Sequence, residues 1–531
     1  MIVGTLRTRV FWQPYDTREA RQPHSRLEIL KSWFNECLDH HNECLISRSA
    51  HNHSTLPKRV LDLTGSPVTP SALSDVRVRL RVTSPEERGR YIALSYCWGS
   101  ETKYHFTTTS QNLNERIGRI DFGSLPLTQR EAVLVALYLG VQYLWIDSLC
   151  IIQDLRSDWE TEASTMSRIY SNAVLTLAAT ASETPGDGLL HPLQSARCVP
   201  LDGDTAMIRM QTHPDINSSA EPLNTRGWTL QEDVLSRRIV SFGREQLLWR
   251  CASRYATEDG LEDRAPLASE SLHGALAQVM EDPSDEKKKL ILKQWYGMVC
   301  NYSRRKLTYK KDKMSAIAGL ADLYTQRTGF RYVHGLWMED IGDGLMWQAT
   351  SLGVTRSPGP IPTWSWASVA GPILMPGFSE SDVNMMELLK LDQGYEGHTA
   401  GSNKVSHRLH IRGAKIMATV GKRSVTQKLR HHLSKEDKIL GEAFLDDESS
   451  AKRGEFEVSC LRVYSVSTAH DKSEHHVLLL VSNCKGGDGW DTRLYKRVGI
   501  GVIWDVSKHA DGSESDIHPF CGVPSSDMVL V

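Results

Sequence analysis

The chain has almost no net charge: 62 Lys and Arg stand against 64 Asp and Glu, a formal balance of -2 over 531 residues. Such a balance sets up no global field to draw in nucleic acid or an anionic membrane, so neither is expected as a partner. There is no Gly-rich phosphate loop of the dinucleotide-binding or Walker pattern, which removes support for hydride transfer and nucleoside-triphosphate hydrolysis. The 10 cysteines follow no repeated spacing, and the opening residues MIVGTLRTRVFWQPYD lack the basic-then-apolar build of a signal peptide. A reducing, cytoplasmic setting is expected. Long unbroken apolar runs are missing too. The most apolar stretch, from Ala132 to Ile152, is interrupted by Gln142 and Asp147, and Gly140 reads as a helix stop. A helix followed by a strand accounts for it better than a membrane span.

What is present is the composition of a folded protein, with 40% hydrophobic and 24% charged residues. The length exceeds one ordinary core, so one large domain and at least one more are expected. Tryptophan is abundant, at 14 residues, and recurs in short polar-aromatic clusters: YCWG, RGW and WSWAS.

An amphipathic helix is expected over Leu27 to Leu38, followed by a polar linker to about residue 55. Short strands joined by a Gly-Ser-Pro turn occupy Leu56 to Val82. Tyr91 to Tyr96 reads as a buried strand ending at Cys97-Trp98-Gly99. Thr128 with Glu131 forms a capping-box signature for a helix that stops at Gly140, and Tyr143 to Asp147 is the next strand. Ser157 with Glu160 marks a second capping box and a helix to about Asn172, before a strand over Val174 to Ala181. Alternation of this kind predicts an α/β fold with a parallel sheet and a ligand crevice at the carboxyl ends of the strands. Further strands are expected at Ile239 to Phe242 and Gln246 to Cys251, and helix over Ser284 to Tyr324. Leu409 to Val420, Glu455 to Ser467, His476 to Ser482 and Val498 to Val506 predict a small β-rich terminal domain. The expected division is 1–55, 56–260, 261–370 and 371–531.

Three ordered blocks carry a family resemblance. They are YIALSYCWGS, with Ser95, Tyr96, Trp98 and Gly99; the stretch from Leu125 to Thr180, with Leu144-Trp145-Ile146-Asp147, Cys150-Ile151, Gln153-Asp154, Trp159, Glu162, Met166 and Ile169-Tyr170; and Arg226-Gly227-Trp228-Thr229-Leu230-Gln231-Glu232 running on to Trp249 and Cys251. Together they resemble the heterokaryon-incompatibility (HET) domain of fungal self/non-self recognition. The resemblance implies a cell-death-inducing signalling module with a protein partner or self-association, and a fold compared with TIR domains, whose sheet is flavodoxin-like. It does not by itself name a reaction.

Helical phase places Trp159, Ala163, Met166, Ile169, Tyr170 and Ala173 on one apolar stripe, with Glu162 inside the same sector. A carboxylate there needs compensation. One reading pairs Glu162 with an arginine, Arg226 being the candidate, for structure alone. The other follows the resemblance: Trp159-Glu160-Thr161-Glu162 is similar to the Trp-x-x-Glu of NAD-cleaving TIR enzymes, so Glu162 would act on NAD as substrate, with Asp147 a second catalytic candidate. Tyr96, Trp98, Gly99 and Arg226 would then line the substrate crevice, with no resident cofactor. Ordinary core packing accounts for Trp98 and Trp145 better than ligand contact does, and Asp147 serves as a turn cap in that reading. Cys97 and Cys150 have no accompanying protease signature and read as buried thiols. Cys37, His40, His41 and Cys44 have a compact spacing that suits zinc. No second Cys/His pair lies nearby, however, so no metal is assigned.

Overall fold

The computed structural model describes residues 23–41, 44, 54–100, 106–190, 198–201, 206–209, 221–258, 260, 262–264, 284–351, 354–357, 361–377, 382–396, 404–423, 431–435, 438–467, 473–482, 494–508, 514–516 and 518–531. They fall into two units: Met1–Lys287 with Arg305–Leu307 and Ser315–Leu323, and Lys288–Arg304 with Thr308–Met314 and Tyr324–Val531. Among the described residues no helix is long and apolar enough to cross a membrane.

The first unit contains helix α1 (Pro23–His40), strands β1 (Arg59–Asp62), β2 (Arg79–Val82) and β3 (Tyr91–Ser95), and helices α2 (Leu113–Gly118) and α3 (Leu127–Tyr138). It continues through β4 (Tyr143–Trp145), α4 (Asp147–Cys150), α5 (Arg156–Asn172), β5 (Leu175–Ala178), β6 (Cys198–Leu201), β7 (Ala206–Arg209) and α6 (Trp228–Leu235). The hairpin strands β8 (Arg238–Phe242), β9 (Leu247–Cys251), β10 (Arg254–Thr257) and β11 (Glu262–Arg264) follow. Apart from the separate β6–β7 pair, the strands form one nine-stranded sheet in the order β11-β10-β9-β8-β5-β3-β4-β1-β2.

The four central strands, β4, β3, β5 and β8, pair in parallel. Both flanks are antiparallel, so the parallel sheet expected from the sequence is the centre of a larger mixed one. On the β8 side the reason is connection length: β8 to β11 follow one another across short turns, which only antiparallel neighbours permit, whereas β3, β4 and β5 are separated by helices. Every residue of β3 and of β5 is buried, as a strand covered on both faces requires. Fully buried Trp145 lies edge-on to Tyr170, ring centroids 5.7 Å apart.

Both predicted capping boxes are absent. The Thr128 hydroxyl accepts from Gly188 N (3.0 Å), and the Glu131 carboxylate accepts from Leu189 N (2.5 Å) and Leu190 N (2.8 Å). Helix α3 instead starts after Pro126. Glu160 pairs with Arg156 one turn earlier at 2.8 Å, and α5 starts after Leu155. In each case another partner claims the side chain: the 188–190 segment for Thr128 and Glu131, and Arg156 in the first turn of α5 for Glu160. The stop at Gly140 is present, with φ +73° and its N–H on Leu137 O.

Helix over Asp285–Arg304 and Ser315–Thr328 matches the helical expectation, and each of the two helices is divided between the units. The β-rich end is a ten-stranded sheet. Its strands Phe456–Ser467, Ser473–Ser482, Leu494–Lys508, Lys438–Leu445, His431–Lys435 and Lys404–Arg423 pair in that order, and the last pairs back to the first. Six strands therefore close on themselves, which removes their edges. Strand approach is tight at Gly441, where a Cβ would lie 1.9 Å from Val502 O. Fully buried Arg497 holds Asp446 through two 3.0 Å bonds and lies over the Trp347 ring, 3.6 Å from its centroid. The WSWAS cluster packs here as core: Trp347 Nε1 donates to Trp364 O, and Trp366 Nε1 to Gly335 O, both at 2.9 Å.

Trp145→Ala removes a large, fully enclosed side chain from the parallel core, and a loss of about 3–5 kcal/mol is expected. Urea unfolding of the full chain, followed by far-UV circular dichroism, checks it; an unchanged midpoint for the first transition contradicts this packing.

Candidate functional site

β3 and β4 run side by side in parallel with Tyr91 opposite Tyr143 and Ala93 opposite Trp145. The residues just beyond their carboxyl ends, Tyr96-Cys97-Trp98-Gly99 and Asp147-Ser148, therefore emerge at the same edge. Trp98 Nε1 donates to Asp147 Oδ2 at 2.9 Å, and the Ser148 N–H donates to Asp147 Oδ1 at 2.7 Å. The Tyr96 hydroxyl is enclosed: it donates to Ser148 Oγ at 2.8 Å, and Gln129 Nε2 donates to both oxygens at 3.1 Å. Gly99 has φ +74° with the Thr184 side chain 3.4 Å from where a Cβ would stand, so turn geometry accounts for this glycine.

A further carboxyl at this edge was quoted from the sequence only as part of a motif. Glu232, on α6, is buried and accepts a hydrogen bond from Ser95 Oγ, at the end of β3. Burial is the main cause that pushes its carboxyl up to about 7, with the charge of Asp147 adding to the rise and Ser95 and Arg226 opposing it. Asp147 is pushed up to about 6, again chiefly by burial, against the bonds from Trp98 and Ser148 and the charge of Arg226. The arginine thus acts on this pair and not on Glu162, which corrects the pairing considered from sequence. A carboxyl pair titrating near neutrality beside one guanidinium can hold a proton on one member and charge on the other.

Glu162 lies in a second cluster. It is 3% exposed, and Arg59 NH2 stands 3.8 Å from its Oε1. Arg59 is bound more closely to Asp158, which also accepts from Lys58 Nζ at 2.7 Å and Ile152 N at 2.9 Å, while Arg59 Nε donates to Cys150 O at 2.5 Å. Burial raises the Glu162 carboxyl, with Arg59 and Lys58 pulling it down and Asp158 pushing it further up. For Asp158 burial is likewise the largest influence, yet Lys58, the Ile152 amide and Arg59 together outweigh it and hold the carboxyl below its usual range.

The inward face of α5 is Asp158, Glu162, Met166, Ile169 and Tyr170. Of the predicted stripe, Met166, Ile169, Tyr170 and Ala173 are buried with Glu162 among them. Ala163 and Trp159 are only half-buried, Trp159 packing edge-on against Trp228 with centroids 6.4 Å apart, and Asp158 is enclosed in addition. An i, i+4 series from Asp158 through Glu162 to Met166 was available as a signal. It was hidden because hydrophobic phasing gives a buried aspartate no weight. Cys97 and Cys150 are pushed up to about 11 and about 12, mainly by burial, and are protonated thiols at neutral pH.

Residues 91–232 match the family model described as heterokaryon incompatibility protein (HET). The chain carries a HET domain. The matched segment opens at the first residue of β3 and closes at Glu232, so the HET domain includes Asp147, Arg226, Glu232 and Glu162, whereas Lys58 and Arg59 come from outside it. No curated protein and no solved structure matches the chain.

The HET carboxyl pair sets a pH dependence. Both groups are held above their unfolded values, so the stability they contribute is complete below about pH 4 and is lost as pH rises through about 6 and about 7. Glu232→Gln keeps an acceptor for Ser95 and removes the titration. It is expected to stabilise the first unit at pH 8 by on the order of 1–3 kcal/mol and to flatten its stability between pH 5 and 8. Melting curves across that range check it, and an unaltered slope contradicts the assignment.

Proposed function

We propose that this HET-domain chain acts in heterokaryon incompatibility as a signalling module whose engagement by a protein partner, or by further copies of itself, leads to death of the cell. The match of residues 91–232 carries this reading. Inducible expression in a fungal host tests it directly: growth arrest and loss of viability are expected on induction. Undisturbed growth at high expression, with the protein folded, counts against it.

A second reading, hydrolysis of the N-glycosidic bond of NAD, is favoured by one observation, the Asp147 carboxylate held by Trp98 Nε1 and the Ser148 N–H at the carboxyl edge, with the buried Glu232 carboxyl bonded to Ser95 at the end of the adjacent β3. The parallel strands, numbered in chain order, run 2-1-3-4, the order with which flavodoxin-like sheets begin. Departure of neutral nicotinamide leaves oxocarbenium-like charge on the ribose, which one carboxylate stabilises without a separate acid. In this reading Asp147, partly exposed and held by Trp98, faces the ribose, and the Trp98 ring offers a stacking surface. Arg226 keeps the pair partly ionised. Glu162, the residue suggested by the Trp-x-x-Glu resemblance, is enclosed beside Arg59 and Asp158 and serves better as support for the sheet edge.

Purified full-length protein incubated with NAD is expected to release nicotinamide, with Asp147→Asn lowering the rate by about 10²-fold or more. Glu162→Gln is expected to retain activity in proportion to its folded fraction. Absence of nicotinamide release at concentrations that permit self-association leaves the signalling reading alone, and loss of activity in folded Glu162→Gln returns the catalytic role to that residue.

A further inference from the structure

The residues of the HET match account for neither the N-terminal Cys/His cluster nor the end of β9, yet the fold brings these two together. Cys37 is on the last turns of α1, His41 follows its end, and Cys44 lies three residues on. Cys251 closes β9, more than two hundred positions later in the chain. The three sulfurs and one imidazole nitrogen all lie within 4.8 Å of one another, and Cys251 Sγ is 3.3 Å from His41 Nδ1. In a tetrahedron with Zn–S of about 2.3 Å and Zn–N of about 2.0 Å, the S–S edges are about 3.8 Å and the S–N edges about 3.5 Å. The set needs only small closing movements to meet those lengths. His40, the other histidine of the motif, is exposed and outside the cluster.

A second observation points to bound metal. Arg238, at the start of β8 and buried, donates from Nε to Cys37 Sγ at 3.0 Å and from NH2 to Cys44 O at 3.4 Å. A neutral thiol is a poor acceptor for a buried guanidinium. A metal-bound thiolate is a good one: three thiolates and a neutral imidazole around a divalent ion total -1, which Arg238 neutralises. Hydrogen bonding from an outer residue to a ligand sulfur is the usual support for such a centre. Ser253 Oγ, 3.6 Å from Cys44 Sγ, adds a further polar neighbour.

We propose that Cys37, His41, Cys44 and Cys251 form a tetrahedral zinc site that fastens helix α1 to strand β9. Soft sulfur ligands in a four-fold protein set select zinc over the hard divalent cations, and with no position left for water the site is structural. Zinc binding displaces protons from the thiols, so its free energy becomes folding free energy for this edge of the sheet. Apolar and ionic contacts already bring the partners close: Trp33 on α1 lies against Trp249 on β9 with centroids 6.4 Å apart, and Glu36 pairs with Arg254 on β10. The metal joins the same two chain segments as those contacts and holds the pieces in one register.

Full-length protein, prepared with a reductant and reconstituted with zinc, is expected to retain about one zinc per chain through desalting. X-ray absorption at the zinc edge is expected to give three sulfurs at about 2.3 Å and one nitrogen at about 2.0 Å. Cys37→Ser and Cys251→Ser should each lose the metal, and Cys521→Ser, an exposed cysteine elsewhere, should keep it. Arg238→Gln should weaken zinc affinity by about 10–100-fold in chelator competition. If the ligand variants do not fold, the absorption spectrum of the wild type decides alone. A chain that holds no zinc, a shell of oxygen and nitrogen only, or zinc retained in both folded ligand variants overturns the proposal.

Discussion

The parallel register of β3 with its two neighbours is the constraint on which the HET unit depends. Ile92 lies opposite Leu144 of β4 on one side and Leu175 of β5 on the other, and β5 in turn carries β8. Parallel strands present their carboxyl ends at one edge, so everything that follows β3 and β4 in sequence is delivered to the same place. Sliding β4 by one residue would turn Leu144 and Trp145 to the opposite faces and separate Asp147 from Trp98. The helix-covered faces of the sheet make such a slip costly, because both faces are already filled.

At that edge the HET domain takes charge out of water in two ways. Asp158 is given cations and a backbone amide, and remains ionised despite its burial. Asp147 and Glu232 each feel the charge of Arg226, but burial dominates, so both carboxyls rise toward neutrality. The first arrangement suits a fastening and the second suits proton exchange, since a group that titrates near working pH changes state at small cost. Cys150 feels both clusters, through Arg59 and Glu162 on one side and Asp147 on the other.

Much of the strand and helix order was legible because it rests on local signals. Apolar runs bounded by turn residues located β3, β4 and β5, Gly140 marked a C-terminal cap, and alternation in the last third located the long strands. Side-chain partners were less legible. Thr128, Glu131 and Glu160 have the residue types and spacing of capping boxes, but the 188–190 segment and Arg156 claim them. Glu232 was read only as part of a motif, since its neighbours Ser95 and Asp147 are separated from it by most of the domain. Lys58 and Arg59, which neutralise Asp158, precede the α/β alternation altogether.

By itself the sequence determined the α/β alternation, the family and the candidate residues Asp147, Trp98 and Glu162, because residue type and near-neighbour spacing are enough to specify secondary structure and motif. Tertiary structure alone decided which charges meet. It set Glu232 against Ser95 and Arg59 against Asp158 and Glu162, and brought Cys251, in place of His40, to the N-terminal cluster. Electrostatic contacts depend on through-space distances of a few ångströms, and those distances are set by strand order, which no local window of the chain contains.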